Sequence, residues 1–234
     1  MIFKGLLASL IMVAIMLGLS AWAMGQLPAD EQFATHWNAS GVANGFSGRA
    51  TVLWMMPGMA VGISLLLALV PQLDPRKKNL LRSSTPYLIT WVGTIIILGF
   101  AHFMIVLSAT KTINIADLGG GSGMIKALIV ILGGFFAALG AVMGKIRPNW
   151  FMGIRTPWTL SSDLSWDKTH RLTGWMFLAT GLASIISAFI MPTNIAMGIL
   201  IVGSLASALI AVVYSWYVWR NDPVRETLIP EDAE

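Results

Sequence analysis

The sequence predicts an all-α polytopic membrane protein with six transmembrane helices and both termini in the cytoplasm. Three observations carry that expectation. The 234 residues are 56% hydrophobic and 11% charged, with a mean hydropathy of +0.74. Soluble domains carry about 25% charged residues, so this supply cannot cover a water-facing surface. Six apolar runs approach or exceed the roughly 20 residues that a helix needs to cross a bilayer. Finally, Lys and Arg fall almost entirely in the loops on one side.

The spans are expected at Gly5 to Met24, Val52 to Val70, Pro86 to Ser108, Met124 to Met143, Thr173 to Met191 and Ile195 to Val218. Lys4, the first apolar run and Ala21-Trp22-Ala23 imitate a signal peptide. That run exceeds the usual 7 to 15 residues, which favours a retained helix. Strand-type alternation is not evident, which argues against a barrel. Twelve of the fifteen Lys and Arg residues precede span one, follow span six or lie in the linkers after spans two and four. Arg49, Lys111 and Lys126 alone mark the other side, so the loops rich in cations are assigned to the cytoplasm.

Pro192-Thr193-Asn194 is so short a turn that spans five and six must form an antiparallel hairpin. Small residues recur at four-residue spacing at Gly58 and Gly62, Gly140 and Gly144, and Gly203, Ser207 and Ala211, a pattern that lets helix backbones approach closely. Three successive hairpins are expected, with Gly119-Gly120-Gly121-Ser122-Gly123 as the only low-complexity tract. The acidic tail with Glu226, Glu231, Asp232 and Glu234 is expected to be disordered.

Composition also excludes functions. A pI near 9.6 does not indicate direct nucleic-acid binding here, because the basic residues sit in short loops between apolar runs. Cysteine is absent, which removes disulfides, thiolate nucleophiles and thiolate metal sites. No Asp, Glu, Lys or Arg lies deep in a span, which disfavours charge-coupled transport. His102 is the one ionisable candidate at depth, either hydrogen-bonded to a neighbouring helix or serving a proton or metal role.

Two loops carry more than a linker needs. The first, Gly25 to Thr51, reads as a short helix capped by Asp30, with Phe33 and Trp37 on one face and Asn44-Gly45 as a turn. It is either an amphipathic helix on the outer leaflet or a binding surface of Phe33, His36, Trp37 and Asn38. Asn38-Ala39-Ser40 also matches a glycosylation sequon.

The second, Lys145 to Leu172, contains Asn149-Trp150-Phe151-Met152-Gly153-Ile154-Arg155-Thr156-Pro157-Trp158. Ser161 or Ser162 can cap a helix running into span five, with Asp163 in its first turn. Trp166, His170 and Gly174 share a stripe on that helix, and Asp167 and Arg171 form an i, i+4 pair. Asp163, Asp167 and His170 are a weak candidate metal set without a fourth ligand. His170 with Asp167 is an acid–base alternative lacking a nucleophile motif. Arg155 and Arg171 offer forked donors to a carboxylate or phosphate, or to anionic lipid.

At these residues the chain resembles the SdpI family of bacterial membrane proteins. Asn149-Trp150 through Gly153, Arg155, Thr156 and Trp158, then Trp166, His170 and Arg171, look like its signature. His36-Trp37-Asn38 with Gly41 looks like the DUF1648 type of domain that commonly precedes it, although Ala34 stands where that pattern often has proline. The division implied is 1–85 for the DUF1648-like part, 86–221 for the SdpI-like part and 222–234 for the acidic tail. The resemblance implies an immunity and signalling protein of the bacterial inner membrane, with no catalytic residues and no cofactor. Its outer residues Phe33, His36, Trp37, Asn38 and Gly41 would meet an SdpC-like secreted peptide toxin. The inner signature would meet a cytoplasmic repressor. An enzyme acting on lipid headgroups or peptides and a small-solute transporter remain the alternatives.

Overall fold

The computed structural model describes residues 1–112 and 121–225. The acidic residues from Glu226 onward, and Gly119 and Gly120 of the glycine run, lie outside the described residues. In chain order the elements are α1 (Ile2–Met24), β1 (Gln32–Trp37), β2 (Ala43–Gly48), α2 (Arg49–Leu73), α3 (Lys77–Arg82), α4 (Ser84–Ala109), α5 (Gly121–Met143), α6 (Pro157–Leu160), α7 (Asp163–Ile190) and α8 (Thr193–Arg220). Six of these helices are long and apolar enough to cross a membrane: α1, α2, α4, α5, α7 and α8. They include all six expected spans, except that α7 ends at Ile190, one residue before the expected Met191. The chain is a multi-pass membrane protein.

The helices pack as two groups of three. In the first, α1, α2 and α4 contact one another; in the second, α7 lies between α5 and α8. The three successive pairs α1 and α2, α4 and α5, and α7 and α8 each make contact, and α4 also packs on α1 and α2. Pro192 turns α7 into α8 as an antiparallel pair, as expected.

The first group is organised around α2, which carries Pro57 and Pro71 in its interior. Proline lacks the N–H that would bond the carbonyl four residues back, and lipid offers no water to replace it. Both orphaned carbonyls are met by neighbouring helices. Ser20 of α1 donates its hydroxyl to the Leu53 carbonyl at 2.7 Å, and Tyr87 of α4 donates to the Leu67 carbonyl. Because the single Ser20 hydroxyl proton is spent on Leu53, Ser20 Oγ accepts from His102 Nε2 at 3.1 Å. His102 Nε2 also reaches the Met16 carbonyl at 3.1 Å. His102 is thus a fully buried histidine bonded to α1, and its Nδ1 has no partner. Lower in the group, Trp91 Nε1 donates to Ser9 Oγ at 2.8 Å, and its ring fills the space that a side chain at Gly5 would take.

In the second group, α5 and α7 meet backbone to backbone. A Cβ at Gly133 would lie 2.8 Å from the Gly181 carbonyl, and one at Gly181 would lie 2.4 Å from that of Gly133. Seven residues along, Gly140 and Gly174 repeat the reciprocal contact at 2.5 and 2.8 Å. These four glycines form an antiparallel seam. Gly144 touches Arg171 and Gly203 touches Thr180, whereas Gly58 and Gly62 face open space and do not mediate helix packing.

One element departs from expectation. Residues 32–48 form an antiparallel β-hairpin, not a short helix, so all-α describes the spans but not this loop. Asn44-Gly45 lies within β2; the reversal occurs at Asn38–Val42. Asn38 Oδ1 accepts from the Ser40 and Val42 N–H groups at 3.0 Å each, and Gly41 adopts φ +79°. That left-handed conformation suits glycine.

The packing gives two expected outcomes. Gly140→Val or Gly181→Val lowers stability by about 1–3 kcal/mol through overpacking, whereas Gly58→Val stays close to wild type. Thermal unfolding of the purified variants in detergent checks this. Ser20→Ala leaves the Leu53 carbonyl without its partner, while His102 Nε2–H keeps the Met16 carbonyl, and costs about 1–3 kcal/mol in the same assay.

Candidate functional site

Two regions hold the residues singled out in the sequence, one at each end of the bundle. At the end bearing β1 and β2, Phe33 is buried against α1, α2 and α4, among Ala23, Leu53 and Ile105. Trp37 packs against this cluster and also against Ile125, Ile129, Ala188 and Ala196, so one side chain touches both helix groups. The alternation Phe33, Thr35, Trp37 turns toward the protein, while His36 points outward and bonds Asn44 Oδ1 through Nδ1 at 2.6 Å. Gly45 pairs with His36 so closely that a Cβ there would lie 2.9 Å from the His36 Cβ. The hairpin exposes two apolar residues, Val42 at 61% and Phe46 at 60%, which the sequence reading did not single out. An apolar cavity of about 240 Å³ lies beside Thr35, His36 and Trp37, with Met56, Met104 and Met124 in its wall.

At the opposite end the long connection between α5 and α7 is built as a frame. Asn149 is fully buried and uses both ends of its amide on the loop backbone. Its Nδ2 donates to the Arg147 and Met152 carbonyls, and its Oδ1 accepts from the Phe151 and Met152 N–H groups at 2.9 and 2.7 Å. His170 holds the next turn. The Ile154 N–H donates to His170 Nε2 at 3.0 Å, which requires Nε2 to be unprotonated. The ring proton therefore sits on Nδ1 and is donated to the Trp166 carbonyl at 2.7 Å. Trp166 stacks on this ring at 4.2 Å between centroids and donates its own N–H to the Ile146 carbonyl.

Gly153 fits this arrangement for two reasons. Its φ is +101°, and a Cβ there would come within 2.2 Å of His170 Nε2. Thr156 then caps α6, with Thr159 returning the bond as a capping box. Thr156 Oγ1 also meets Ser215 Oγ of α8 at 2.9 Å. As expected, Ser162 caps α7 by accepting from the Ser165 N–H, and Arg171 pairs with Asp167 at 3.2 Å.

The structure therefore divides the inner signature into two kinds of residue. Asn149, Thr156, Trp166 and His170 are buried and hold the loop. Trp150, Arg155 and Arg171 are exposed on it, and Trp158 is half-buried. Arg155 Nη1 donates to the Trp150 carbonyl at 2.6 Å, so the frame also positions an exposed guanidinium. The weak metal set is not assembled: both His170 nitrogens serve the backbone, Asp167 faces Arg171, and no group of three metal-binding side chains occurs among the described residues.

Several contributors were missed. Asp74 is buried and accepts from the Arg76 and Trp150 N–H groups, joining the start of α3 to the inner loop. Ser83 accepts from the Arg147 N–H at 2.9 Å, and Asn79 donates to the Pro148 carbonyl at 2.9 Å. Asp222 accepts the Ser162 hydroxyl at 2.5 Å. This bond, with a second from the Val224 N–H, holds the Asp222 carboxyl below its usual value. Asp74-Pro75 carries an Asx-turn signal that could have marked the first of these.

Gly153→Ala is expected to open the loop. Limited proteolysis should cleave that variant between 145 and 160 faster than wild type, while Trp150→Ala, which removes an exposed ring, keeps the wild-type rate. Resistance unchanged in Gly153→Ala would contradict the frame.

Comparison with known proteins bears on both ends. Residues 145–215 match the SdpI/YfhL protein family, and residues 11–61 match a domain of unknown function, DUF1648. No curated protein and no solved structure matches the chain. The first match contains the whole Asn149 to Arg171 frame together with α7 and most of α8, and the second contains the hairpin between α1 and α2. The chain is a multi-pass membrane protein that carries an SdpI/YfhL family region at residues 145–215 and a DUF1648 region ahead of it at residues 11–61.

Proposed function

We propose that this protein sits in the bacterial inner membrane and protects its producer against a secreted, SdpC-like peptide toxin. In this reading, the hairpin end faces outward and the end carrying twelve of the fifteen Lys and Arg residues faces the cytoplasm. The observation that carries the proposal is Trp37. It belongs to the hairpin, which exposes Val42 and Phe46, and it packs against both groups of helices. A peptide engaging the hairpin would act directly on the contact between the groups. The apolar cavity beside His36 and Trp37 suits an apolar side chain of such a peptide.

At the other end, Trp150, Arg155 and Arg171 supply an exposed surface for a cytoplasmic repressor. Relay requires that peptide and repressor each prefer one packing of the bundle. The enzyme alternative draws little support from the inner loop. A buried His170 with both nitrogens spent on backbone partners is not poised as a general base, and Asp167 is paired elsewhere.

Survival of a sensitive Gram-positive host expressing the chain, over a dilution series of an SdpC-like peptide, tests the proposal. Wild type should protect relative to an unrelated six-span protein. Phe46→Asp should lose about tenfold or more in protection if Phe46 anchors the peptide. Arg155→Ala should impair function at unchanged membrane level, since it lies outside the spans and its removal leaves Asn149 and His170 in place. Absence of protection by wild type at verified expression overturns the toxin reading.

A further inference from the structure

At the cation-rich end, α3, the start of the inner loop and the start of α7 surround a cavity of about 1190 Å³. Three arginines line it: Arg76 just before α3, Arg82 at its end, and Arg147 in the inner loop. Their backbones are fixed. The Arg76 N–H is held by Asp74 and the Arg147 N–H by Ser83, while Asn79 ties α3 to Pro148. Ser161 and Ser162 just ahead of α7, Asp163 in its first turn, and Asp222 after α8 also line it.

The charge balance is informative. Among the described residues the one ion pair is Arg171 with Asp167, so none of the three lining arginines has a carboxylate of the described residues within ion-pair distance. Two carboxylates also line the space. Asp222 is buried, with its oxygens taken by the Ser162 hydroxyl and the Val224 N–H, and Asp163 is exposed at the start of α7. Three guanidinium groups around one concavity repel one another, and an excess of cations in loops on one side accounts for their number but not for this convergence. The start of the 28-residue α7 adds the positive end of its dipole to the same space.

We propose that this cavity is a binding site for a phosphate-bearing anion, clasped by Arg76, Arg82 and Arg147 against the first turn of α7. Guanidinium forks match phosphate oxygens two at a time, and the volume exceeds what a single phosphate group needs. Phospholipid headgroups and free phosphate compounds share this chemistry. The site is independent of the toxin reading, because neither the hairpin nor Arg155 contributes to it.

The test uses the full chain in phosphatidylcholine nanodiscs, with thermal midpoint as readout, since a ligand that binds only the folded state raises it. One arm titrates inorganic pyrophosphate; the other replaces phosphatidylcholine stepwise with phosphatidylglycerol. Arg82→Gln and Arg147→Gln are exposed substitutions that leave the Arg147 backbone bond to Ser83 in place. Lys145→Gln removes an equal charge from a neighbouring position outside the cavity.

A saturable rise in either arm is expected, with half-saturation moved about tenfold upward in both arginine variants and unchanged in Lys145→Gln. A rise with phosphatidylglycerol alone assigns a lipid headgroup, and a rise with pyrophosphate assigns a soluble anion. No saturable rise in either arm, or an equal weakening in Lys145→Gln, overturns the proposal.

Discussion

Buried backbone polar groups with no water to turn to shape this molecule at every level. Within a bilayer each unpaired carbonyl costs several kcal/mol, so a proline in a spanning helix creates a demand that another part of the protein must meet. Helix α2 makes that demand twice, at Leu53 and at Leu67, and receives Ser20 from one neighbour and Tyr87 from the other. The three-helix group is thereby fixed in rotation as well as in contact: neither α1 nor α4 can turn about its axis without withdrawing a donor. His102 fits the same logic. It backs Ser20, so its position deep in a span follows from hydrogen bonding within the bundle. The inner loop repeats the strategy outside the apolar region, where Asn149 and His170 act on backbone groups of a chain that has neither helix nor sheet to satisfy them.

The spans were legible in the sequence because hydropathy and length act locally, and each apolar run reports on itself. The Ser162 cap and the Asp167–Arg171 pair were legible for the same reason: their partners are three or four residues away. The hairpin was misread because Phe33 and Trp37 fit both a helical face and alternate strand positions through Thr35. What decides between them is distant. Phe33 and Trp37 need sockets made by α1, α2, α4, α5, α7 and α8, and Asn38 with Gly41 closes the chain into a tight reversal before a helical turn can form. The DUF1648 resemblance marked these residues without revealing that conformation.

The inner signature shows a different kind of gap. The specificity of its residues exceeds what a linker requires and was assigned to recognition. In the structure much of it is support. Asn149 and Gly153 are constrained by hydrogen bonding and by contact with His170, leaving Arg155 and Trp150 as the residues presented to the outside. The arginines around the α3 cavity could not be grouped from the sequence, because Arg76 and Arg147 are brought together by the distant ties of Asp74 to Trp150, Ser83 to Arg147 and Asn79 to Pro148.

The two carbonyls of α2 also differ in when their partners exist. A chain is synthesised from its N-terminus, so Ser20 is already in place when Leu53 and Pro57 emerge. The first two spans can thus settle one polar demand between themselves during insertion. The Leu67 carbonyl has to wait for Tyr87, which belongs to the third span. An order of assembly is written into the placement of two prolines, with the third span closing what the first two leave open.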